Sequence, residues 1–311
     1  MRISCIIPAY NAAPWIERAV QSLLECQQDQ LEMLIVDDGS VDDTYAAARR
    51  LAEQYVSITV WQHPDRQNHG VSASRNLGIC QSSGELVCFL DGDDYVYPHR
   101  FKKGLEILSS DPGIDGVYET TELVFANEAA RLEWPANERV FGFQQPIPPG
   151  ELLGKLLQGR CWATSAILFR RSLLDRTGLF DKDLAIAEDC HLWFRMATAG
   201  ILVSGNLQEP VSAYWRTGES AFRPAASRKL DMLSAMHRYL RWLRQHPEYH
   251  SRYNEARQRV MEYAINGLIS VRTTQDRSLA RELACKSLRM FPALVWNLRF
   301  QRQLISLLLG R

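Results

Sequence analysis

The amino-acid sequence predicts an α/β fold: a mostly parallel sheet covered by helices on both faces, followed by a helical C-terminal region. Three observations carry that expectation. Short β-branched runs alternate with helical periodicity through about the first hundred residues. The runs are continuously apolar rather than alternating, as in strands buried on both faces. From Arg228 onward the periodicity is helical throughout.

In chain order, Arg2 to Ile7, Met33 to Val36, Ile58 to Trp61 and Leu86 to Leu90 read as strands, with helices at Pro14 to Glu25, Asp43 to Gln54 and Val71 to Cys80. Three of the strands run into polar loops: Pro8-Ala9-Tyr10-Asn11, Asp37-Asp38-Gly39-Ser40 and Asp91-Gly92-Asp93-Asp94. Parallel sheets bind ligands at the carboxyl ends of their strands, so the loops are expected to meet at one cleft. Taken singly, Asn11 and Asp43 read equally well as helix caps and Gly39 as a turn residue. From Asp115 to Pro149 the pattern breaks into short strands and a proline-rich bend. A strand resumes at Ala163 to Phe169, a helix follows at Glu188 to Ala199, and Ile201 to Val203 and Val211 to Trp215 close the region as strands.

The chain has 311 residues, 46% apolar and 23% charged, which suits one large α/β domain with an appendage, or two domains. Thirty-six basic residues balance 36 acidic ones, which argues against a nucleic-acid partner. The balance hides an asymmetry, because residues 1 to 224 hold 20 basic and 30 acidic side chains, and residues 225 to 311 hold 16 and 6. A body at −10 that binds a phosphorylated ligand needs a metal ion or focused arginines, and a tail at +10 suits an anionic surface. Seven cysteines lack any Cys-x-x-Cys pair or zinc spacing and read as reduced thiols. The apolar run at the N-terminus is short and broken by Pro8, so a cytosolic protein is expected.

The clustered carboxylates of Asp91, Asp93 and Asp94 past an apolar strand are hard oxygen ligands suited to Mg²⁺ or Mn²⁺. Calcium loops of the EF-hand type are excluded, because Ala48 and Lys102 stand where the twelfth-position glutamate would be, and no P-loop is present. Five motifs then fall in order: Ile6-Ile7-Pro8-Ala9-Tyr10-Asn11, Val36-Asp37-Asp38-Gly39-Ser40, Ser74-Arg75-Asn76-Leu77-Gly78, Phe89-Leu90-Asp91-Gly92-Asp93-Asp94 and Glu188-Asp189. Gly178-Leu179-Phe180-Asp181 precedes the last of these and Leu192-Trp193-Phe194-Arg195 follows it. Over roughly residues 1 to 220 the chain resembles inverting glycosyltransferases of family 2.

The resemblance implies the GT-A fold, a nucleotide-diphosphate sugar donor with a uridine donor as the default, an acceptor on a glycan or lipid-linked precursor, and Mn²⁺ or Mg²⁺. It divides the chain into a glycosyltransferase domain at 1–224, with a nucleotide-binding half at 1–114 and an acceptor half at 115–224, and a basic helical region at 225–311. It assigns Pro8, Tyr10, Asn11 and Asp38 to the donor site, Tyr10 beside the base and Asp38 accepting from a base N–H. An aromatic face and a carboxylate facing an imide fit those tasks. Arg75 falls near the nucleotide, Asp91 near the ribose and Asp93 on the metal. Asp189 matches the general base that takes the acceptor proton in a single in-line displacement, with Glu188 orienting the site. As plain residues, Glu188 and Asp189 are also the acids expected in a first helical turn, and Arg75 a salt-bridge partner of the acidic loops.

The chain departs from the family at Tyr214-Trp215-Arg216-Thr217-Gly218, where many members carry a histidine at the position of Gly218; Arg216 is then expected to supply charge to the diphosphate. It lacks the Gln-x-x-Arg-Trp signature of processive synthases, which implies transfer of a single sugar. Two competing readings are a haloacid-dehalogenase-type phosphotransferase, whose motif wants Thr or Val where Tyr95 stands, and a non-catalytic nucleotide-sugar-binding protein. The segment Met290 to Leu309 mixes Phe291, Leu294, Trp296, Leu298 and Phe300 with Arg289, Arg299 and Arg302. That composition suits a helix lying on anionic lipid at the inner face of the membrane, or one packed on the catalytic domain or on a second subunit of a homo-oligomer.

Overall fold

The computed structural model describes residues 1–132, 134, 138–216, 225–273 and 277–309. Its first half alternates β1 (Ile3–Ala9), α1 (Ile16–Leu24), β2 (Leu31–Asp37), α2 (Thr44–Gln54), β3 (Ile58–Gln62), α3 (Val71–Gln81) and β4 (Leu86–Phe89). There follow β5 (Tyr95–Val96), α4 (Lys102–Ser110), β6 (Gly116–Tyr118), β7 (Thr121–Phe125), α5 (Glu128–Leu132), β8 (Val140–Phe141) and α6 (Pro149–Leu156). Then come β9 (Ile167–Arg170), α7 (Leu173–Thr177), α8 (Glu188–Ala199), β10 (Leu202–Ser204) and β11 (Ser212–Arg216). The helical region holds α9 (Ala225–Gln245), α10 (Tyr253–Thr273), α11 (Arg277–Met290) and α12 (Leu298–Leu309), with 3-10 turns at Pro247–Arg252 and Pro292–Trp296.

Among the described residues the main sheet runs in the order β10-β6-β9-β4-β1-β2-β3. β1 lies between β2 and β4, parallel to both, so its continuous apolar run is explained by burial on two faces. The pleat sorts that run into two cores. Cys5 and Ile7 of β1, with Leu86 and Cys88 of β4, pack with residues of α1, α2 and α4. Ile6, with Val87 and Phe89, packs on the opposite side with residues of α3, α6 and α8. The helices therefore cover both faces, as the sequence predicts. All seven cysteines are free thiols.

Three expectations are corrected in detail. The strand expected at Ala163 to Phe169 opens instead with a 3-10 turn, Thr164–Ala166, and β9 runs antiparallel between β4 and β6. Apolar periodicity carries no strand direction, which hydrogen-bond partners decide. A second small sheet, β5-β11-β7-β8, gathers the short strands and fastens β11 beside the loop after β4. Asp43 stands at the cap position of α2 without a side-chain capping bond; Asp42 accepts the Thr44 N–H at 3.0 Å instead.

The helical region shares the core of the preceding α/β part. Leu233, Met236, Tyr239 and Leu243 of α9 belong to the same buried cluster as Trp193 and Phe194 of α8. The Phe194 and Tyr239 rings stand 5.5 Å apart, and the Tyr239 hydroxyl bonds Thr198 Oγ1 at 2.6 Å. Phe291, Leu294 and Phe300, from the segment read as either a lipid-lying or a packing helix, are buried in that cluster; Trp296 is 83% exposed. Helix packing, not composition, decides which aromatic faces out. The expected boundary between 224 and 225 adjoins residues 217–224, outside the described residues, as does Gly218.

Candidate active site

The loops after β1, β2 and β4 converge as expected. Pro8, Tyr10, Asp38, Arg75, Asp91, Asp93, Glu188 and Arg216 all line one cleft of about 460 Å³, a size suited to a nucleotide-sized ligand. Two of the expected residues stand elsewhere. Asn11 lies behind the lining at φ +50°, its N–H donating to Ser40 Oγ at 3.0 Å and its Oδ1 accepting the Val41 N–H at 3.0 Å. It staples the first two loops together and is not among the residues that line the cleft. Asp189 lines an adjoining cavity of about 390 Å³.

Each lining residue has a local cause. Gly39 turns at φ +74°, and a Cβ there would stand 2.6 Å from the Gln67 carbonyl carbon, so the loop from residue 63 to 70 closes over it only because the position is glycine. Asp38, nearly buried, accepts the N–H groups of His69 and Gly70, both at 2.9 Å, and so anchors the entry to α3. Tyr10, 51% exposed, offers its ring to the cleft. Asn76 of α3 clasps the backbone of Phe180 in both directions, at 2.9 and 3.0 Å, which ties the Gly178-Leu179-Phe180-Asp181 turn to the sheet ahead of α8. Ala187, the cap of α8, holds a left-handed φ of +62°, local strain of the kind found at functional sites.

Arg75 organises the centre. Its guanidinium, 2% exposed, donates to Asp91 Oδ1 and Glu188 Oε1, each at 2.7 Å, so the salt-bridge reading and the placement near the cleft both describe it. Burial, with help from Asp91, pushes the Asp93 carboxyl up to about 6, while Arg216 and Arg18 pull it down. Burial beside Asp93 and Asp91 drives Asp94 well above the carboxylate range. Burial also raises Glu188, with Asp189 adding to it against the pull of Arg75, and raises Asp189 against the same arginine. Burial is the first cause of all four shifts, and neighbouring carboxylates add to it at Asp93, Asp94 and Glu188.

Asp94, already one of the clustered carboxylates, has a further part, and Arg18, Arg228, Lys229 and Tyr263 join the site without a signal in the sequence. Asp94 accepts the Trp215 N–H at 2.9 Å and locks the acidic loop to β11. Arg18 of α1 donates to the Asp93 carbonyl at 2.7 Å and lies over the rings of Tyr95 and Trp215. Arg228 of α9 lines both cavities, and Lys229 and Tyr263 of the helical region line the second. Asp94 was signalled by its place in the acidic run. The others reach the site from distant helices, for which no local pattern exists.

The residues present fit a divalent cation of the Mg²⁺ or Mn²⁺ type. Asp93 is a largely buried carboxylate that resists ionising beside Asp91, and a cation would relieve both. Among the described residues no three acidic, histidine or cysteine side chains form a set that could hold a metal ion by themselves.

The glycosyl transferase family 2 model matches residues 4–175. An uncharacterized glycosyltransferase of Nostoc sp. is 29% identical over 239 residues, covering 73% of this chain and 68% of its own. Uncharacterized glycosyltransferase EpsJ of Bacillus subtilis is 32% identical over 192 residues, 60% of this chain and 53% of EpsJ. Among solved structures, S. aureus TarS superposes on 94% of this chain and 49% of its own, at 17% identity and a TM-score of 0.66. The mannosyltransferase PcManGT of Pyrobaculum calidifontis, solved with GDP-Man and Mn²⁺, covers all of this chain and 88% of its own, at 18% identity and a TM-score of 0.53. These likenesses establish the GT-A fold. The chain spans about half the length of EpsJ and of the TarS chain. The matched segment stops short of Glu188, Asp189 and Arg216, so the roles of those three rest on geometry. It covers more than half of the chain and includes the first four ordered motifs, which sets the phosphotransferase reading aside: the protein belongs to glycosyltransferase family 2.

Proposed function

We propose that this chain moves one sugar from a nucleotide-diphosphate donor in the larger cleft to an acceptor hydroxyl in the adjoining cavity, with inversion at the anomeric carbon. The observation that carries the reading is the junction of the two spaces. Arg75, Asp91 and Glu188 line both, whereas Asp189 lines only the second. A base confined to the acceptor side meets a hydroxyl opposite the leaving group. TarS has been solved with UDP and with UDP-GlcNAc, and PcManGT with GDP-Man, which supports a nucleotide-sugar donor here; we take a uridine donor of the hexosyl or N-acetylhexosaminyl class.

In this mechanism Tyr10 stacks on the base and Asp38 accepts from its imide. Asp189 takes the proton of the acceptor hydroxyl as its oxygen bonds the anomeric carbon, while the bond from that carbon to the diphosphate oxygen breaks. Glu188 and Asp91, held by Arg75, keep the helix start and the acidic loop in register. Asp93, with Asp91 beside it, is the residue to hold Mn²⁺ or Mg²⁺, whose charge would offset that of the leaving diphosphate. Arg216 and Arg228 add positive charge on the same side. Absence of the processive signature supports single transfer to a glycan or lipid-linked polysaccharide precursor. The domain division at 224, a cytoplasmic location and attachment to anionic lipid through the basic region complete the proposal. Among the described residues no helix is long and apolar enough to cross a membrane.

The test is Asp189→Asn, which keeps the shape and removes proton acceptance. UDP binding, read by thermal shift with Mn²⁺, should persist while transfer falls at least ~10²-fold. Near-normal transfer by that variant would exclude Asp189 as the base, and a nucleotide-independent melting midpoint in the wild type would exclude the donor site.

A further inference from the structure

We infer that the acceptor carries an anionic group, a phosphate or carboxylate, which Lys229 receives in the acceptor cavity. The inference rests on the assignment of the two cavities made above. Lys229 follows Arg228 on α9, yet the two divide the site: Arg228 lines both cavities, Lys229 only the one that contains Asp189. The lysine is half-buried. Its stem runs along α10, where a Cβ built on Gly267 would stand 3.9 Å from Lys229 Cδ.

Among the described residues the charge on this side chain has no counterpart. No ion pair joins it to a carboxylate among the described residues, and burial alone lowers its ammonium below the ordinary lysine value. Neighbouring cations are differently placed. Arg75 holds Asp91 and Glu188, Arg238 holds Asp181 and Asp183, and Lys286, which reaches α9 from α11, donates to the Leu230 carbonyl at 3.1 Å and to Ser234 Oγ. A half-buried ammonium that loses hydration without a counter-charge is unfavourable, and an incoming phosphate or carboxylate supplies a charge-assisted hydrogen bond in return. The donor diphosphate is not the occupant, since Lys229 does not line its cleft.

The experiment is calorimetric titration of the full chain, first with UDP and then, at saturating UDP, with glycerol 1-phosphate, glycerate and glycerol. At least one of the two anions should bind and glycerol should not, with the stronger anion naming the group. Lys229→Met should weaken that binding at least ~10-fold, and Lys229→Arg should hold it within about threefold, as expected of a charge-assisted contact. Equal binding of glycerol, binding of neither anion, or undiminished anion binding by Lys229→Met would overturn the inference. Lys229→Gln replaces the methionine variant if its melting midpoint falls. Absence of UDP binding in the first titration would instead overturn the donor assignment, so the two failures are told apart.

Discussion

Arg75 is the residue on which the site balances, because one buried guanidinium neutralises carboxylates from two different elements. Arg75→Met should leave Asp91 and Glu188 uncompensated at a cost of about 3 to 5 kcal/mol, measurable by urea unfolding. Arg75→Lys should recover only part of it, since a single ammonium does not reproduce the fork. A methionine variant as stable as the wild type would mean that the pairs are solvated. Asp93 makes the opposite kind of statement. Its carboxyl is raised to about 6, so the folded chain holds that proton more tightly than the unfolded one. The contribution of Asp93 to stability without metal is therefore greatest below the ordinary carboxylate value and declines as pH rises from about 4 to 6. Asp93→Asn should flatten that decline and raise the metal-free melting midpoint at pH 7.5 by about a few degrees, while removing the response to Mn²⁺. An unaltered pH slope in the variant would remove Asp93 from the account. Both residues were legible in the sequence, Asp93 by its place at a strand end and Arg75 by its motif. Arg18, Lys229 and Tyr263 were not, because their helices are placed by packing far from their own neighbours in the chain.

At the scale of elements, α3 carries Arg75 and lies close to β1. Gly78 permits this, since a Cβ there would fall 2.4 Å from Ile6 Cγ2. Gly78→Ala should cost about 1 to 3 kcal/mol by overpacking and, by lifting α3, should slow transfer through misplacement of Arg75. Ile6→Ala in the same chain should recover much of the activity by restoring room. If transfer is untouched in Gly78→Ala, the helix has slack and Arg75 does not depend on its depth. Elements with strong apolar periodicity were read from the sequence within a few residues, and α8 was read as Glu188 to Ala199, its observed span. The antiparallel course of β9 and the pairing of β11 with β5 and β7 were not. Strands of two to five residues carry too little pattern to announce their partners.

For the whole molecule, the question is what the basic helical region does. Its α9 completes the core behind α8, and α9 and α10 wall the second cavity, so it is part of the body of the fold as well as a candidate contact with lipid. The two roles separate by residue. Phe300→Ala should destabilise the chain by about 3 to 5 kcal/mol, because that ring is fully buried. Trp296→Ser with Leu298→Ser, at positions 83% and 73% exposed, should leave the melting midpoint unchanged and weaken binding to anionic vesicles. Wild-type chain that ignores such vesicles at low salt would end the membrane proposal and leave the exposed pair to a second subunit.

What the sequence determined by itself was the order of strands and helices in the first half, the three acidic or polar loops and the family. Each of these is a local pattern, set by the pleat, the helical repeat or the chemistry of adjacent residues. Tertiary structure decided that Asn11 braces loops rather than lining the cleft, that Glu188 and Asp91 share one arginine, that Phe300 points inward, and that Lys229 meets the cavity lined by Asp189. All four depend on which side of an element a side chain leaves and what packs there. That is fixed by burial of the whole core at once, so it cannot be read from any one segment.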